Sequence, residues 1–179
     1  MCRRALPVAV AGTLLAGSVA YAGPPASLEP LAFLVGEWEA SGGGGPGQGA
    51  GRVVFARALQ DRVILRTSYA EIPASGTTAS SRHDDLLVIY EARGRGARAD
   101  YYDSEGHVIR YVVTSAAPGE ATFLSEPVAG EPRYRLRYEL ARDGVLDGEF
   151  AIAPPGEPPA FKPYLAWKST RAKAARPSP

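Results

Sequence analysis

The segment Arg98–Thr114, with the sequence RADYYDSEGHVIRYVVT, decides the fold because it predicts a β-hairpin. Two runs rich in tyrosine, valine and isoleucine flank Ser104–Gly106, a short polar connection that ends in glycine. Aromatic and β-branched residues favour strands, and the glycine can adopt the positive φ of a tight turn. His107, one of the chain's two histidines, follows this turn, so the hairpin is the first candidate region for a polar functional site.

Further strands and turns are predicted on both sides of this hairpin. In Arg133–Leu140, tyrosine and leucine alternate with charged residues, and a period of two indicates one buried face and one exposed face. Asp143-Gly144 is a strong hairpin turn. The stretch 72–84 is rich in Ser, Thr, Gly and Pro and is predicted to be a loop, as is the glycine-rich run 42–51.

Past Phe33, no segment has a helical period of adequate length. We therefore predict an all-β chain, a single antiparallel up-and-down meander of about nine or ten strands. A meander of this size removes its exposed edges best by closing into a barrel. A two-sheet β-sandwich is the alternative.

The N-terminus has the features of a secretory signal peptide. Arg3 and Arg4 precede an apolar run at 5–20, and Ala20-Tyr21-Ala22 supplies small residues for cleavage after Ala22. The run is shorter than the roughly 20 residues that span a bilayer, so we predict a cleaved signal peptide over 1–22 and export to the periplasm or the extracellular space. An uncleaved N-terminal anchor is the alternative. The barrel domain is predicted over 23–171 and a disordered tail over 172–179.

The composition of residues 23–179 excludes several classes of function. No cysteine follows Cys2, so disulfides and thiolate metal sites are excluded. With Arg3 and Arg4 removed from the 20 basic residues, the balance against 19 acidic residues is near neutral. No basic block or stripe is present, and a nucleic-acid partner therefore has no electrostatic support. No second apolar run follows the signal peptide, so no membrane span is predicted in the mature chain.

Several motifs resemble the lipocalin-like (calycin) barrels. Gly36-Glu37-Trp38 on the first strand matches their Gly-x-Trp signature, and Arg171 or Lys168 would cover the indole. Together with that motif, 33–38, 101–109 and 164–167 resemble an exported bacterial family of unknown function, often grouped with the nitrobindin-like haem-binding barrels. The resemblance implies a lipocalin/nitrobindin-like barrel with haem as a possible cofactor. Because no histidine follows His107, a haem ligand on a later strand is missing and His107 is the candidate that remains.

His107 has two competing interpretations. If its face, which continues through Ile109 and Tyr111, points inward, the imidazole lies at the barrel mouth. It could then ligate a metal or haem iron, or act as an acid or base with Asp103 or a tyrosine. The sequence favours a structural histidine that hydrogen-bonds its own hairpin. Asp103, across the turn, fits both interpretations, because its carboxylate can orient the imidazole ring of His107.

The remaining candidates come from aromatic and charged residues in strands. Tyrosines can line a pocket for a partly apolar ligand, but they are equally ordinary core residues. The sequence favours solvent for Arg57 and Arg66, whereas an inward arginine would be a buried charge that could bind a ligand carboxylate. His83-Asp84-Asp85 could weakly hold a divalent ion, but adjacent strand residues point to opposite faces, so the sequence favours a solvated loop. The candidate ligand-binding residues are Trp38, Arg57, Tyr90, Tyr102, Asp103, His107, Tyr111, Tyr134 and Tyr138, with His107 also the candidate metal ligand.

These observations favour an exported barrel that binds a small, partly apolar molecule in its interior. A barrel of this size can hold one small ligand. The alternatives are a nitrobindin-like haem protein that uses His107, an enzyme that uses His107, and a structural or interaction barrel without a ligand. No Gly-x-Ser-x-Gly or His-Glu-x-x-His motif is present, so an enzyme is the least supported of these.

Overall fold

The computed structural model describes residues 27–40, 50–74 and 79–173. The predicted signal peptide at 1–22, the glycine-rich stretch at 41–49 and the tail from residue 174 lie outside the described residues. Among the residues that the structure describes, no helix has the length and apolar character needed to cross a membrane.

A short 3₁₀ helix precedes a series of strands. The helix spans Glu29–Leu34 and has Pro30 in its first turn, where proline fits because its missing N–H has no acceptor there. The strands are β1 (Gly36–Ala40), β2 (Ala50–Ala58), β3 (Val63–Ile72), β4 (Ser81–Ala92), β5 (Gly96–Asp103), β6 (Val108–Ala117), β7 (Glu120–Ser125), β8 (Arg133–Leu140), β9 (Leu146–Ala153) and β10 (Lys162–Arg171).

The ten strands form one closed antiparallel barrel. Each strand pairs with the next in sequence, and β1 pairs with both β2 and β10. The predicted all-β, up-and-down meander is confirmed, and the chain forms a barrel rather than the alternative sandwich. A closed antiparallel barrel of this kind is consistent with a lipocalin-like fold.

The loop predicted over 72–84 is wrong at both ends. β3 continues to Ile72 and β4 begins at Ser81, which pairs with Ile72. Polar composition suggested a loop, but in a strand alternate residues point to opposite faces, so polar residues there can face solvent. The predicted glycine-rich loop is likewise too long, because Gly51 lies in β2. A Cβ atom at Gly51 would lie 2.3 Å from the carbonyl oxygen of Tyr69, so only glycine fits this close strand pairing.

The N-terminal helix closes one end of the barrel, here called the helix end. Leu28, Leu31 and Leu34 are fully buried in the same core as the inward-facing strand residues. Burying each leucine contributes roughly 1.5–3 kcal/mol, which fixes the helix in place. Glu29 of the helix also approaches Arg57 on β2, with an N–O distance of 3.6 Å.

The first and last strands meet at a contact between Trp38 and Arg171. The guanidinium of Arg171 lies 4.0 Å from the centre of the Trp38 ring. It also donates hydrogen bonds to the carbonyls of Val35 at 2.6 Å and Phe33 at 3.1 Å. The expectation that Arg171 or Lys168 would cover the indole is confirmed for Arg171.

The opposite end of the barrel, here called the loop end, is bounded by the connections 104–107, 126–132 and 154–161. Inward-facing residues become more exposed toward it. On β4, Ile89 and Leu87 are fully buried, whereas the His83 side chain is 30% exposed. On β8, Tyr138 is buried and Tyr134 is half-buried. The helix end is therefore packed, while the interior near the loop end is partly accessible to solvent.

We predict that Arg171→Ala lowers the free energy of unfolding by about 1–3 kcal/mol, because it removes a cation–π contact and two charged hydrogen bonds. Urea unfolding would measure this loss. Lys168→Ala on the same strand is the control and should have little effect, because Lys168 pairs with Asp147 at the exposed surface. Equal losses in the two variants would contradict a special role for the Arg171 contact.

Candidate functional site

A buried ion pair lies inside the barrel at the boundary between its packed and accessible halves. Arg66 on β3 is 5% exposed and hydrogen-bonds the carboxylate of Asp85 on β4. Arg66 also donates a hydrogen bond to the Tyr138 hydroxyl across the interior, and Ser68 donates one to Asp85 at 2.6 Å. The alternation of strand residues sets this arrangement, because Arg66 shares the inward face of β3 with buried Ile64.

The surroundings of Arg66 keep its guanidinium charged. Burial acts to lower the pKa of Arg66, but Tyr138 and the Asp85 carboxylate outweigh burial and raise the pKa above its ordinary value. Burial raises the pKa of Tyr138, so its hydroxyl stays protonated near neutral pH. The Nε–H of Arg66 has no hydrogen-bond acceptor within the part of the chain that the structure describes. The ion pair thus leaves one buried donor unused.

Polar groups continue from this ion pair to the loop end. The guanidinium of Arg66 lies 5.8 Å from the centre of the Tyr101 ring, and the Tyr101 hydroxyl is 3.2 Å from Nε2 of His83. The other ring nitrogen of His83, Nδ1, lies 2.7 Å from the carboxylate of Glu105 in the β5–β6 turn. We call Arg66, Ser68, His83, Asp85, Tyr101 and Tyr138 the interior polar cluster.

Asp103 organises the turn at the edge of this cluster. Its Oδ1 accepts hydrogen bonds from the backbone N–H groups of Glu105 at 3.1 Å and His107 at 2.8 Å. Its Oδ2 lies 2.9 Å from Nδ1 of His107. Burial acts to raise the pKa of Asp103, but the hydrogen bonds from His107 and Glu105 outweigh it and hold the pKa below its ordinary value. Asp103 is therefore a carboxylate near neutral pH.

His107 forms the hydrogen bonds predicted for a structural histidine in its own hairpin. Its side chain is 70% exposed on the turn, whereas the Asp103 side chain is only 5% exposed. Tyr111, two residues beyond Ile109 on β6, is buried, so this face does point inward once β6 begins. The position of His107 does not fit haem, since haem needs apolar walls that enclose most of its surface.

The other predicted site residues fall into three places. Trp38, Tyr111 and Tyr138 belong to the buried core, and Tyr134 packs against that core while half-exposed. Tyr90 and Tyr102 occupy the outward positions of β4 and β5, next to inward-facing Ile89 and Tyr101. Arg57 lies at the helix end beside Glu29. The structure therefore brings only part of the predicted set together.

Sequence reasoning missed most of the interior polar cluster. Arg66 was expected to face solvent, but it is buried; the reason is that Asp85 and Tyr138 supply the partners that make burial of the charge tolerable. The prediction of a solvated loop for 83–85 is also wrong, because β4 places His83 and Asp85 on the inward face and Asp84 on the outward face. The sequence signal available was the alternation that places His83, Asp85, Leu87 and Ile89 on one face of a strand.

Aromatic side chains line the accessible half of the interior beside this cluster. The rings of Tyr134 and Phe150 stack with their centres 5.8 Å apart, and Tyr164 meets Phe150 edge-on at 6.3 Å. Phe150 is half-buried, and Tyr164 is 65% exposed. Apolar ring surface therefore lies at the same end of the barrel as the polar groups that continue from Arg66.

These features define a class of protein, a small closed β-barrel with a packed helix end and a polar, aromatic loop end. A comparison with protein-family models finds no matching family, and a comparison with curated proteins finds no match either. The resemblance to an exported bacterial family therefore rests on the quoted motifs alone.

We predict that the buried pair behaves as a coupled unit. Arg66→Met or Asp85→Leu alone should lower the free energy of unfolding by about 3–5 kcal/mol, because each leaves an uncompensated buried charge. The double variant should lose less than the sum of the single variants by about 0.5–3 kcal/mol. Urea unfolding of all four proteins completes this cycle. Additive losses would show that the two side chains do not stabilise each other.

Proposed function

We propose that the protein is an exported barrel that binds a small, partly apolar molecule in its interior at the loop end. The observation that carries this proposal is the unused buried donor, Nε–H of Arg66, inside a barrel in which the rings of Tyr134 and Phe150 stack nearer the loop end. A buried donor without an acceptor is destabilising, and an oxygen atom of a bound molecule would satisfy it.

The chemistry of the lining limits the ligand class. Tyr134 and Phe150 offer flat apolar surface, and Arg66 offers one N–H group deeper in the barrel. The ligand therefore combines an apolar ring or short chain with an oxygen acceptor, such as a carbonyl, hydroxyl or carboxylate group. The helix end is filled by Leu28, Leu31 and Leu34, so the ligand enters only the half beyond Arg66 and is small.

We expect native mass spectrometry of the gently purified protein to show an added mass that disappears on denaturation. Anilinonaphthalene sulfonate (ANS), which combines apolar rings with an acidic group, should bind saturably at one site. Tyr134→Ala should weaken ANS binding by about tenfold, equivalent to about 1.4 kcal/mol, because it removes one face of the aromatic wall.

Tyr102→Ala is the matched control, since Tyr102 is an outward-facing tyrosine of the same barrel and is 42% exposed. It should leave ANS binding unchanged. A bare chain combined with unsaturable ANS binding would contradict the proposal, as would equal losses in Tyr134→Ala and Tyr102→Ala. Either result would favour a barrel that acts through its outer surface.

Export has its own test in the same spectra. If the signal peptide is cleaved as predicted, the intact mass of the protein from an exporting bacterial host corresponds to a chain that begins at Gly23. Replacing the residue at the cleavage site, Ala22→Arg, should block processing because signal peptidase requires a small residue there. A wild-type chain that keeps residues 1–22 would show that export by cleavage is wrong.

A further inference from the structure

A second group of side chains at the loop end has the composition of a metal site. One ligand atom each from His83, Asp103 and Glu105 lies within 4.8 Å of the other two. Ligands that share a tetrahedral Zn²⁺ at about 2.1 Å lie about 3.4 Å apart. Small side-chain rotations would therefore bring the three atoms to coordination distance. We call these three residues the His83 group.

The fold itself brings the His83 group together. Asp103 pairs with Asp85, and His83 lies two residues beyond Asp85 on the same inward face of β4. The turn that carries Glu105 is tied to β4, because the backbone N–H of Ser104 donates to the carbonyl of Asp84 at 2.9 Å. Asp84 returns a hydrogen bond from its own N–H to the Ser104 hydroxyl at 3.2 Å. His83 and Asp103 thus lie on paired strands, and Glu105 lies on a turn that these hydrogen bonds tie to β4.

The charges at this place favour a cation. Asp85 and Asp103 are directly opposite each other on neighbouring strands, and like charges at such positions are destabilising. Glu105 adds a third carboxylate, and among the described residues the guanidinium in contact with these carboxylates is that of Arg66, which bonds Asp85. The other partners of Asp103 and Glu105 are neutral donors, such as backbone N–H groups and the Tyr101 hydroxyl, and histidines, which carry charge only when protonated. A bound divalent ion would offset the repulsion at neutral pH.

The surroundings of His83 match those of a metal-ligating histidine. Such a histidine almost always donates its second ring N–H to a carboxylate, a carbonyl or water, which orients the ring. Nδ1 of His83 faces Glu105 at 2.7 Å, while Nε2 faces the Tyr101 hydroxyl at 3.2 Å and the Asp85 carboxylate at 3.6 Å. Nδ1 is therefore the ligating nitrogen, and Nε2–H keeps Asp85 and Tyr101 as outer partners.

We propose that His83, Asp103 and Glu105 bind one divalent transition-metal ion, with Zn²⁺ the expected occupant. One imidazole nitrogen with two carboxylate oxygens suits Zn²⁺ better than Ca²⁺ or Mg²⁺, which take oxygen ligands. Three protein ligands leave a fourth position for water. The site does not depend on the proposed small-molecule ligand, because the metal contacts none of Tyr134, Phe150 or the Arg66 Nε–H.

The test is calorimetric titration of the metal-free full chain with zinc chloride at neutral pH. Wild-type protein should bind one Zn²⁺ per chain. Glu105→Gln and His83→Gln should each lower the affinity by more than about 100-fold, because even changes to outer partners of a ligand cost about 10- to 100-fold. Glu105 is on an exposed turn, so its variant is expected to fold even if His83→Gln does not.

Glu131→Gln provides the matched control, since Glu131 is an exposed glutamate on another connection at the same end. It should bind Zn²⁺ like the wild type. The proposal is overturned if wild-type protein shows no stoichiometric Zn²⁺ binding, or if Glu105→Gln binds as tightly as Glu131→Gln. When ANS binding is also measured on the metal-free protein, failure of the metal site and failure of the ligand site are distinguishable.

Discussion

The contact between Arg171 and Trp38 reinforces the junction of the first and last strands, where the barrel closes. It joins the first strand to the last, and its hydrogen bonds to Phe33 and Val35 fasten the helix that closes one end. Glycine is favoured at position 36 because its φ of +133° is a conformation that other residues rarely adopt, and a Cβ atom there would also displace the Arg171 guanidinium. One cation therefore contacts the first strand, the last strand and the end of the helix together.

Closure divides the interior into two halves of different chemistry. The half near the helix is filled by leucine, isoleucine and aromatic side chains, which supply the burial that stabilises a chain without disulfides in its described part. The other half holds Arg66 and Asp85, whose charges are tolerable only because each partner is present. The packed half holds the strands rigidly, and so the polar half can keep its groups at fixed positions.

The fold could be predicted largely from sequence because its signals are local. The alternation in Arg133–Leu140 gives β8 with the same bounds, and the glycine turn after Tyr102 separates β5 from β6. The site could not be predicted, because it depends on which face of each strand points inward. His83 and Asp85 share a strand face because β4 extends to Ser81. The polar composition of 72–84 predicted a loop there instead of this extension. The partner of Arg66 across the interior, Tyr138, is 72 residues away in sequence.

The polar residues of this barrel are more informative than its aromatic ones. Tyrosines are found in the core, on the outer face and at the loop end, so the residue type alone does not separate packing from binding. A buried arginine is different, since it must be neutralised, and the residues that neutralise it identify the inward face of each strand they occupy. From Arg66 the contacts lead through Asp85 and Tyr101 to His83, Asp103 and Glu105. The need to pair one buried charge therefore brings together the polar groups that could form a binding site.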